Sequence, residues 1–185
     1  MKCSSTPIPD LCILEPRLFG DHRGYFFESY STVAFETQGI DTSFVQDNES
    51  MSDAGVLRGL HFQLPPKAQG KLVRVQQGSV LDVAVDLRKG SPTYGQHFSA
   101  VLSGENKKMM WIPPGFAHGF LTLEDRTVFL YKCTELYSPA HESSLLWSDP
   151  DLGIEWGTDA PKLSDKDQIG PLFKDFESPF TYDPS

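Results

Sequence analysis

The side chains in this sequence that could exchange protons in catalysis include His61, Lys71, His118 and Tyr131, together with several carboxylates such as Asp167. An imidazole titrates near neutral pH and can take up a proton, whereas a phenol can return one. An ammonium stabilises a developing negative charge, and a carboxylate can orient an imidazole. These residue types predict acid–base catalysis, provided that the fold brings them together.

Each of these residues also has an ordinary structural explanation. Lys71 could be a charged residue that protects an edge strand from aggregation, and Tyr131 could be a core aromatic whose hydroxyl binds a carbonyl. Asp167 lies three residues after Ser164, which is the spacing of a helix-capping pair. Taken one at a time, the residues leave these alternatives open.

The histidines do not form a recognisable metal-binding motif. No two of them are spaced as HxH or HxxxH, and Gln63 stands where a second ligand would complete an HxH pair with His61. A catalytic zinc site takes three protein ligands, which here would have to come from distant strands. His118 follows a Pro-Pro-Gly turn and could be a solvated loop residue. The sequence therefore predicts no bound metal, although it contains His22, His61, His97, His118 and His141.

Motifs for other common chemistries are absent from the sequence. There is no GxSxG nucleophile elbow, no GxGxxG dinucleotide-binding loop and no GxxxxGK[ST] phosphate-binding loop. Cys3, Cys12 and Cys133 are scattered and odd in number, which predicts free thiols rather than a disulfide framework. We therefore expect neither a serine hydrolase nor a nicotinamide enzyme.

The length and composition indicate the number of domains and exclude some classes of binding partner. With 185 residues, 39% hydrophobic and 22% charged, the chain is expected to form one domain over residues 1–185. A formal net charge of −9 argues against binding to nucleic acid or to an anionic membrane. No run of apolar residues approaches the length of a membrane span, about 20 residues. The first ten residues, MKCSSTPIPD, lack the apolar region of a signal peptide. A cytoplasmic location is therefore expected.

Strand patterns dominate the sequence and must position the candidate groups. Residues 71–76, 80–87, 97–102 and 127–133 are rich in β-branched and aromatic side chains, and turn residues separate several of them. This spacing predicts an antiparallel sandwich or barrel.

Helix signals are few. Residues 31–38 are predicted to form a short helix that is capped by Ser31 and ended by Gly39. Ser164 is predicted to open a second helix near the C-terminus.

Strand alternation indicates which side chains share a face. Lys71 lies on the same face of its strand as Val73 and Val75, which predicts that it points inward. Tyr131 shares a face with Phe129, so its hydroxyl would reach the same interior if that face is the core side. The ammonium and the phenol are thereby predicted to share one interior.

Several longer stretches carry a more specific signal. They are FGDHRGYFFESY at 19–30, FVQDNES at 44–50, LRGLHFQLPPKAQGKLVRVQQGSVLDVAVDLRKGSPTYGQ at 57–96, LSGENKKMMWIPPGFAHGFLTL at 102–123, YKCTELYSPAHE at 131–142 and LSDKD at 163–167. In this order and spacing, the chain resembles the dTDP-4-dehydrorhamnose 3,5-epimerase family of the cupin superfamily. The resemblance covers nearly the whole chain, so it is more specific than any single motif.

The resemblance implies a mainly β fold, a cupin-type antiparallel β-barrel (jelly roll) with a few short helices. Members of the family are homodimers and need no metal or other cofactor. They are isomerases that convert dTDP-4-dehydro-6-deoxy-D-glucose to dTDP-4-dehydro-L-rhamnose in dTDP-L-rhamnose biosynthesis. Because C3 and C5 both flank the C4 ketone, the implied reaction removes a proton from one face of the sugar and returns one to the other.

The family pattern implies a role for each candidate catalytic residue. His61 would abstract the protons, and Asp167 would orient His61, with Asp165 as an alternative partner. Lys71 would stand near the C4 oxygen and stabilise the enolate. Tyr131 would return the proton from the opposite face, with a neighbouring cation lowering the pKa of its phenol.

Further residues match the substrate contacts of the family: Arg23, Glu28, Gln46, Asp47, Asn48, Arg58, His118, Tyr137, Glu142 and Lys166. The arginines would contact the diphosphate and the sugar, and Tyr137 would stack on the thymine ring. Arg23 has the alternative of a turn salt bridge with Asp21 or Glu28. The resemblance also implies that N-terminal strands are exchanged between subunits, so that each subunit completes the nucleotide site of its partner.

Other functions stay open from the sequence. A related single-carbon epimerase would keep the same base and acid but invert only C3 or only C5. A metal-dependent cupin oxygenase is disfavoured by Gln63. A nucleotide-sugar binding module would have no reason to keep His61, Lys71 and Tyr131 together. The double epimerase is the leading hypothesis.

Overall fold

The structure is a computed structural model that describes residues 1–184. Its strands, numbered in chain order, are β1 (Lys2–Ser5), β2 (Cys12–Glu15), β3 (Phe19–Asp21), β4 (Gly24–Phe26), β5 (Gln46–Ser52), β6 (Leu57–Gln63), β7 (Lys71–Gln77), β8 (Ser79–Asp86), β9 (His97–Ser103), β10 (Met109–Ile112), β11 (Phe116–Thr122), β12 (Thr127–Cys133) and β13 (Glu142–Ser144). The helical elements are α1 (Thr32–Glu36) and the 3-10 turns Pro139–His141 and Phe173–Asp175. No helix within residues 1–184 has the length and apolar character that a membrane crossing requires.

The strands form two antiparallel sheets and a separate hairpin. Six strands pair in the order β1-β2-β10-β7-β12-β5, and five pair in the order β13-β6-β11-β8-β9. Within residues 1–184, the two strands of the hairpin, β3 and β4, pair with each other and with no further strand. This is the predicted mainly β jelly-roll architecture in a two-sheet form. The four strands predicted from the sequence are confirmed to within one residue at each end.

Apolar side chains from both sheets fill the space between them. Val73 and Phe129 come from the six-stranded sheet, and Ala84, Phe116 and Phe120 come from the five-stranded sheet. The rings of Phe120 and Phe129 stack with their centroids 4.0 Å apart and so join the two sheets directly. Removing this shared apolar surface from water is the main force that holds the sheets together.

A further apolar layer covers the outer face of each sheet. Leu121 of the five-stranded sheet packs in one cluster with Trp156 from the C-terminal region. Leu72 of the six-stranded sheet packs in another cluster with Phe35 of α1. Because the central strands are covered on two faces, β8 and β11 are almost wholly buried and read as apolar runs in the sequence.

Of the two helices predicted from the sequence, one is confirmed and one is wrong. Helix α1 is confirmed, with the Ser31 hydroxyl accepting the backbone N–H of Ala34 at 3.4 Å and Gly39 in the left-handed region at φ 81°. The helix predicted to open at Ser164 is wrong, because residues 165–168 form a turn instead. There the Asp167 carboxylate is held by tertiary contacts to β6 and bends the chain back rather than leading it into a helix.

The position of β7 decides between the explanations for Lys71. The strand lies inside the six-stranded sheet, paired with β10 on one side and β12 on the other. The edge-strand explanation for Lys71 is therefore wrong.

A buried ion network ties the N-terminal segment to β8 and to the C-terminal segment. The Arg88 guanidinium donates to the two Asp86 oxygens at 2.9 and 3.0 Å and to Asp10 at 2.7 Å. It also lies over the rings of Phe116 and Tyr182, 4.6 and 4.8 Å from their centroids. One arginine thus joins segments that are distant in sequence.

Asp86 is the buried anion at the centre of this network. Its carboxylate also accepts hydrogen bonds from the hydroxyls of Ser91 and Thr93 at 2.6 and 2.9 Å. Burial acts to raise the pKa of Asp86, but the hydrogen bonds from Arg88, Ser91 and Thr93 outweigh it, and the pKa lies below its ordinary value. The ionised carboxylate therefore stabilises the folded chain.

We expect Asp86→Asn to lower the free energy of unfolding by about 3 kcal/mol at neutral pH, because the buried Arg88 charge loses its buried partner and keeps the exposed Asp10 as its counterion. Since folding lowers the pKa of Asp86, the stabilisation is present above the unfolded pKa of about 4 and is lost as the pH falls below it. Urea unfolding at neutral pH and at acid pH measures both effects.

Lys89→Gln is the control, because Lys89 contacts the exposed Glu177 at 3.7 Å and surface pairs contribute little. A midpoint for Asp86→Asn equal to that of Lys89→Gln would show that the network does not stabilise the fold.

Candidate active site

A cavity of about 320 Å³ lies between the two sheets. β7 and β12 contribute side chains from the six-stranded sheet, and β6 and β11 contribute them from the five-stranded sheet. Nine of the residues predicted from the sequence line it, namely Arg58, His61, Lys71, His118, Tyr131, Tyr137, Glu142, Lys166 and Asp167. Ser50, Phe120, Phe129 and Ser164 complete the lining, and sequence reasoning did not predict them for the site.

His61, on β6, contacts a buried carboxylate. Its Nε2 lies 2.6 Å from Oδ1 of Asp167. Nε2 is buried and makes no well-aligned hydrogen bond, so the two atoms are in close contact without an in-line hydrogen bond. The other ring nitrogen, Nδ1, is not buried and has no hydrogen-bond partner within residues 1–184. Nδ1 is therefore the nitrogen that a ligand can reach.

The turn over residues 164–167 holds Asp167 in place. The Ser164 hydroxyl donates to Asp167 Oδ2 at 2.6 Å, and the backbone N–H of Gly59 donates to Oδ1 at 3.3 Å. Burial acts to raise the pKa of Asp167, but its contacts with His61, Ser164 and Gly59 outweigh burial and lower the pKa to about 2. Asp167 is thus ionised at neutral pH. It, and not Asp165, lines the cavity beside His61.

Lys71, on β7, reaches the cavity from the six-stranded sheet, as its inward face predicted. Its ammonium donates to the backbone oxygen of His61 at 3.4 Å. Burial lowers the pKa of Lys71, and the neighbouring Cys133 and the carboxylates of Asp82 and Glu142 oppose the shift only in part. A desolvated ammonium of this kind stabilises a nearby oxyanion more strongly than one in water.

Tyr131, on β12, presents a free hydroxyl to the same cavity. The hydroxyl is not buried and makes no hydrogen bond within residues 1–184, so it is not a core phenol bound to a carbonyl. Burial raises the pKa of Tyr131, and Arg58 lowers it by less. The expectation that a neighbouring cation gives a lowered pKa is therefore wrong. The phenol stays protonated at neutral pH and has a proton to give.

A second histidine–carboxylate pair lies beside the first. His118 on β11 is the cross-strand partner of His61 on β6. Its Nε2 lies 3.1 and 3.0 Å from the two oxygens of Asp82 on β8, and both residues are buried. Sequence reasoning missed Asp82, although a carboxylate within the apolar run VLDVAVDL was a signal that it needed an interior partner.

Two glycines allow β6 and β11 to bring these histidines together. Gly59 has φ 133°, and a Cβ atom placed on it would lie 2.5 Å from the Cα of Gly119. No side chain fits at that distance. The close approach of the backbones depends on glycine at this position.

Polar side chains form one wall of the cavity away from the histidines. Tyr137 donates its hydroxyl to Oε2 of Glu142 at 3.1 Å, and the Lys166 ammonium donates to Oε1 of the same carboxylate. Tyr137 is 52% exposed, so its ring is free to stack on a planar group. On β6, the Arg58 guanidinium donates to the hydroxyl of Ser52 at 3.1 and 3.3 Å.

Three of the predicted binding residues lie together on β5 but face different ways. Gln46 lines an adjoining pocket of about 100 Å³ and donates to Oδ1 of Asn48 at 2.9 Å. Asp47 points to the other face of the strand and forms an ion pair with Lys132 at 2.7 Å. Asp47 is therefore not brought to the cavity within this chain.

The structure also leaves Arg23 and Glu28 outside the cavity. Arg23 lies at the turn of the β3–β4 hairpin and pairs with Asp21 at 2.5 Å, which is the alternative that the sequence left open. Glu28 is exposed in the segment after the hairpin. Their predicted contacts with substrate stay predictions.

Two further histidines, His97 and His141, have hydrogen-bond partners outside the cavity. His97 Nδ1 lies 3.0 Å from the backbone oxygen of Leu152, and His141 Nδ1 lies 2.8 Å from the hydroxyl of Ser138. Over residues 1–184, no cluster of three His, Cys, Asp or Glu side chains is placed to hold a metal ion.

Comparison with known proteins agrees with this geometry. The family model for dTDP-4-dehydrorhamnose 3,5-epimerase matches residues 5–175. The dTDP-4-dehydrorhamnose 3,5-epimerase of Pseudomonas aeruginosa is 56% identical over 177 residues, which cover 95% of this chain and 97% of that protein.

Solved structures give the same result. A crystal structure of dTDP-4-dehydrorhamnose 3,5-epimerase from Bacillus anthracis, with TDP and PPi bound, is similar with a TM-score of 0.91 and 53% identity, covering 93% of this chain and 99% of that chain. A 3,5-epimerase from Legionella pneumophila, in complex with dTDP-4-keto-L-rhamnose, is similar with a TM-score of 0.94 and 47% identity, covering 98% of each chain. This chain belongs to the dTDP-4-dehydrorhamnose 3,5-epimerase family.

Proposed function

We propose that this protein converts dTDP-4-dehydro-6-deoxy-D-glucose to dTDP-4-dehydro-L-rhamnose, with His61 as the base and Tyr131 as the acid. The observation that carries the proposal is their placement on opposite sheets. His61 reaches the cavity from β6 of the five-stranded sheet, and Tyr131 reaches it from β12 of the six-stranded sheet. A sugar ring bound between them would present one face to the base and the other to the acid, as inversion requires.

The chemistry follows from the ketone at C4. Hydrogens on C3 and C5 are acidic because the electron pair left by either proton is delocalised onto the C4 oxygen as an enolate. His61 Nδ1 is the accessible base, and the Asp167 carboxylate at 2.6 Å from Nε2 stabilises the imidazolium that forms. Return of a proton to the other face of the same carbon inverts it. One base and one acid therefore serve both carbons.

Lys71 stabilises the enolate. Its ammonium enters from the same sheet as Tyr131, because β7 and β12 are hydrogen-bonded neighbours. A fixed positive charge in a partly dry site lowers the energy of the oxyanion without any rearrangement of solvent. The raised pKa of Tyr131 makes the phenol a weak acid, but an enolate carbon accepts its proton readily because the ketone is restored.

Tyr137, Arg58 and Lys166 would hold the nucleotide part of the substrate. Tyr137 offers an exposed ring for stacking on thymine. Arg58 and Lys166 supply positive charge to a chain whose formal net charge is −9, so recognition of the diphosphate depends on such local groups. Gln46 and Asn48 extend this surface along β5.

We also propose a homodimer in which the β3–β4 hairpin reaches the partner's site. In the described part of the chain, residues 1–184, no further strand pairs with the hairpin, and Phe19, Tyr25 and Phe26 on it are 51%, 61% and 70% exposed. Large apolar side chains on an isolated hairpin favour contact with a second copy. In such a dimer Arg23 would lie where a diphosphate could bind, which the single chain does not provide.

The same proposal covers domain organisation and location. A core shared by both sheets supports a single domain over residues 1–185. Cys3, Cys12 and Cys133 are free, which is typical of proteins in the reducing cytoplasm and supports a cytoplasmic location.

The variants His61→Gln and Tyr131→Phe should separate the two halves of the reaction. In deuterated water, His61→Gln should slow the exchange of the C3 and C5 hydrogens by about a hundred- to ten-thousand-fold, because the base is lost. Tyr131→Phe should still exchange these hydrogens but give little inverted product. Proton NMR of the substrate follows both, and titration with dTDP confirms that each variant binds. Full exchange by His61→Gln would remove His61 from the role of base.

The pH profile should report Lys71. Because burial lowers its pKa, kcat/KM should fall on the alkaline side below the ordinary lysine value of about 10.4. Lys71→Arg should move this fall to higher pH, because a guanidinium keeps its proton. Lys89→Arg, a change at an exposed lysine, is the control and should leave the profile unchanged. An identical alkaline limb in Lys71→Arg and the parent enzyme would exclude Lys71 as its origin.

A further inference from the structure

Asp82 is fully buried and does not line the cavity, yet the one hydrogen-bond partner of its side chain within residues 1–184 is His118, which does. We propose that Asp82 is a positioning residue that holds the imidazole proton of His118 on Nε2, so that Nδ1 accepts a hydrogen bond from a hydroxyl of the bound sugar. The inference deepens the proposed function and rests on it for the identity of the ligand.

The contact between the two side chains fixes the tautomer. A carboxylate only accepts hydrogen bonds, so the ring nitrogen that faces it must carry a hydrogen. His118 Nε2 lies 3.1 and 3.0 Å from Oδ1 and Oδ2 of Asp82. In a neutral ring, Nδ1 is then the nitrogen with the lone pair.

The lone pair on Nδ1 is open to the cavity. The ring of His118 is only 6% exposed, but Nδ1 is not buried and makes no hydrogen bond within residues 1–184. Burial lowers the pKa of His118, and Lys71 and His61 add to this, while Asp82 opposes it. The ring is therefore neutral at physiological pH and offers an acceptor rather than a donor.

An acceptor at this place distinguishes a hydroxyl from a carbonyl. The proposed substrate carries hydroxyls at C2 and C3 and a ketone at C4. Lys71 supplies a donor to the ketone oxygen, whereas the lone pair of His118 Nδ1 would repel that oxygen and still more its enolate form. The two groups together favour one orientation of the ring, with a hydroxyl towards His118 and the C4 oxygen towards Lys71.

Other buried carboxylates in the fold show what a structural role looks like. Asp86 accepts a backbone N–H, two hydroxyls and the Arg88 guanidinium. Asp149 accepts the backbone N–H groups of Asp151 and Phe173. The Asp82 side chain accepts no backbone N–H and no hydroxyl within residues 1–184. The Asp82 charge thus serves no loop or turn, and it acts on two groups of the cavity: His118 through direct contact and Lys71 through its charge.

The direct test is the tautomer of His118 in the parent enzyme. Nitrogen-15 labelling of histidine, with two-dimensional NMR of the five imidazoles, distinguishes a protonated from an unprotonated ring nitrogen, and His118→Gln identifies the signal. We expect His118 to be neutral with its proton on Nε2 throughout the physiological pH range. A proton on Nδ1, or a charged ring at neutral pH, would overturn the proposal without any variant of Asp82.

Asp82→Asn tests the consequence for catalysis. Its side chain accepts or donates, so His118 loses its fixed tautomer, and we expect kcat/KM to fall about 10- to 100-fold. Discrimination against the 2-deoxy or 3-deoxy analogue should shrink with it, measured as exchange of the C5 hydrogen. Asp149→Asn removes a buried carboxylate remote from the cavity and is the control. It should change stability but not discrimination.

The outcomes separate this proposal from the function on which it rests. If the parent enzyme exchanges neither C3 nor C5 hydrogens, the proposed function fails, whatever the tautomer of His118. If exchange occurs and Asp82→Asn keeps both the Nε2 proton and the discrimination between analogues, the positioning role of Asp82 is wrong. Unchanged signals from the other histidines show that the variant is folded.

Discussion

The structure depends on how charged side chains are held inside an apolar sandwich. A carboxylate in such an interior is tolerated only when donors surround it, because desolvation otherwise favours its neutral form. Asp86 meets this condition through the guanidinium of Arg88. Asp167 meets it through the Ser164 hydroxyl, a backbone N–H and His61. Asp82 meets it through His118. The first pairing joins segments of the chain, and the other two prepare imidazoles for chemistry. The same constraint therefore governs both the stability of the fold and its active site.

Two sheets facing one cavity give the site its two-sided character. The five-stranded sheet carries both histidines, each with a carboxylate at Nε2 and with Nδ1 accessible. The six-stranded sheet carries the ammonium of Lys71 and the free phenol of Tyr131. Proton acceptors and proton donors are thus separated by the space in which a sugar ring would lie. All four side chains line the same cavity in this structure.

Much of this arrangement could be predicted from the sequence, because strand alternation is a local property. The inward direction of Lys71 and the shared face of Phe129 and Tyr131 followed from period-two patterns, and both are seen in the cavity. The pairing of Asp82 with His118 could not be predicted from the sequence, because it depends on the register between β8 and β11. That register places Asp82 opposite Phe120 and diagonal to His118. The helix predicted at Ser164 was wrong because the capping spacing between Ser164 and Asp167 does not show that a tertiary contact holds the Asp167 carboxylate. The raised pKa of Tyr131 was missed because burial outweighs the nearby cation.

The proposed mechanism requires one base and one acid on opposite sheets to invert two carbons. It is tested most directly by incubating dTDP-4-dehydro-6-deoxy-D-glucose with the parent enzyme in deuterated water, reducing the product at C4 and determining deuterium content and configuration at C3 and C5 by NMR. This mechanism predicts deuterium at both carbons, each inverted, in the L-configured product. Deuterium and inversion at one carbon alone, or inversion without solvent deuterium, would contradict it.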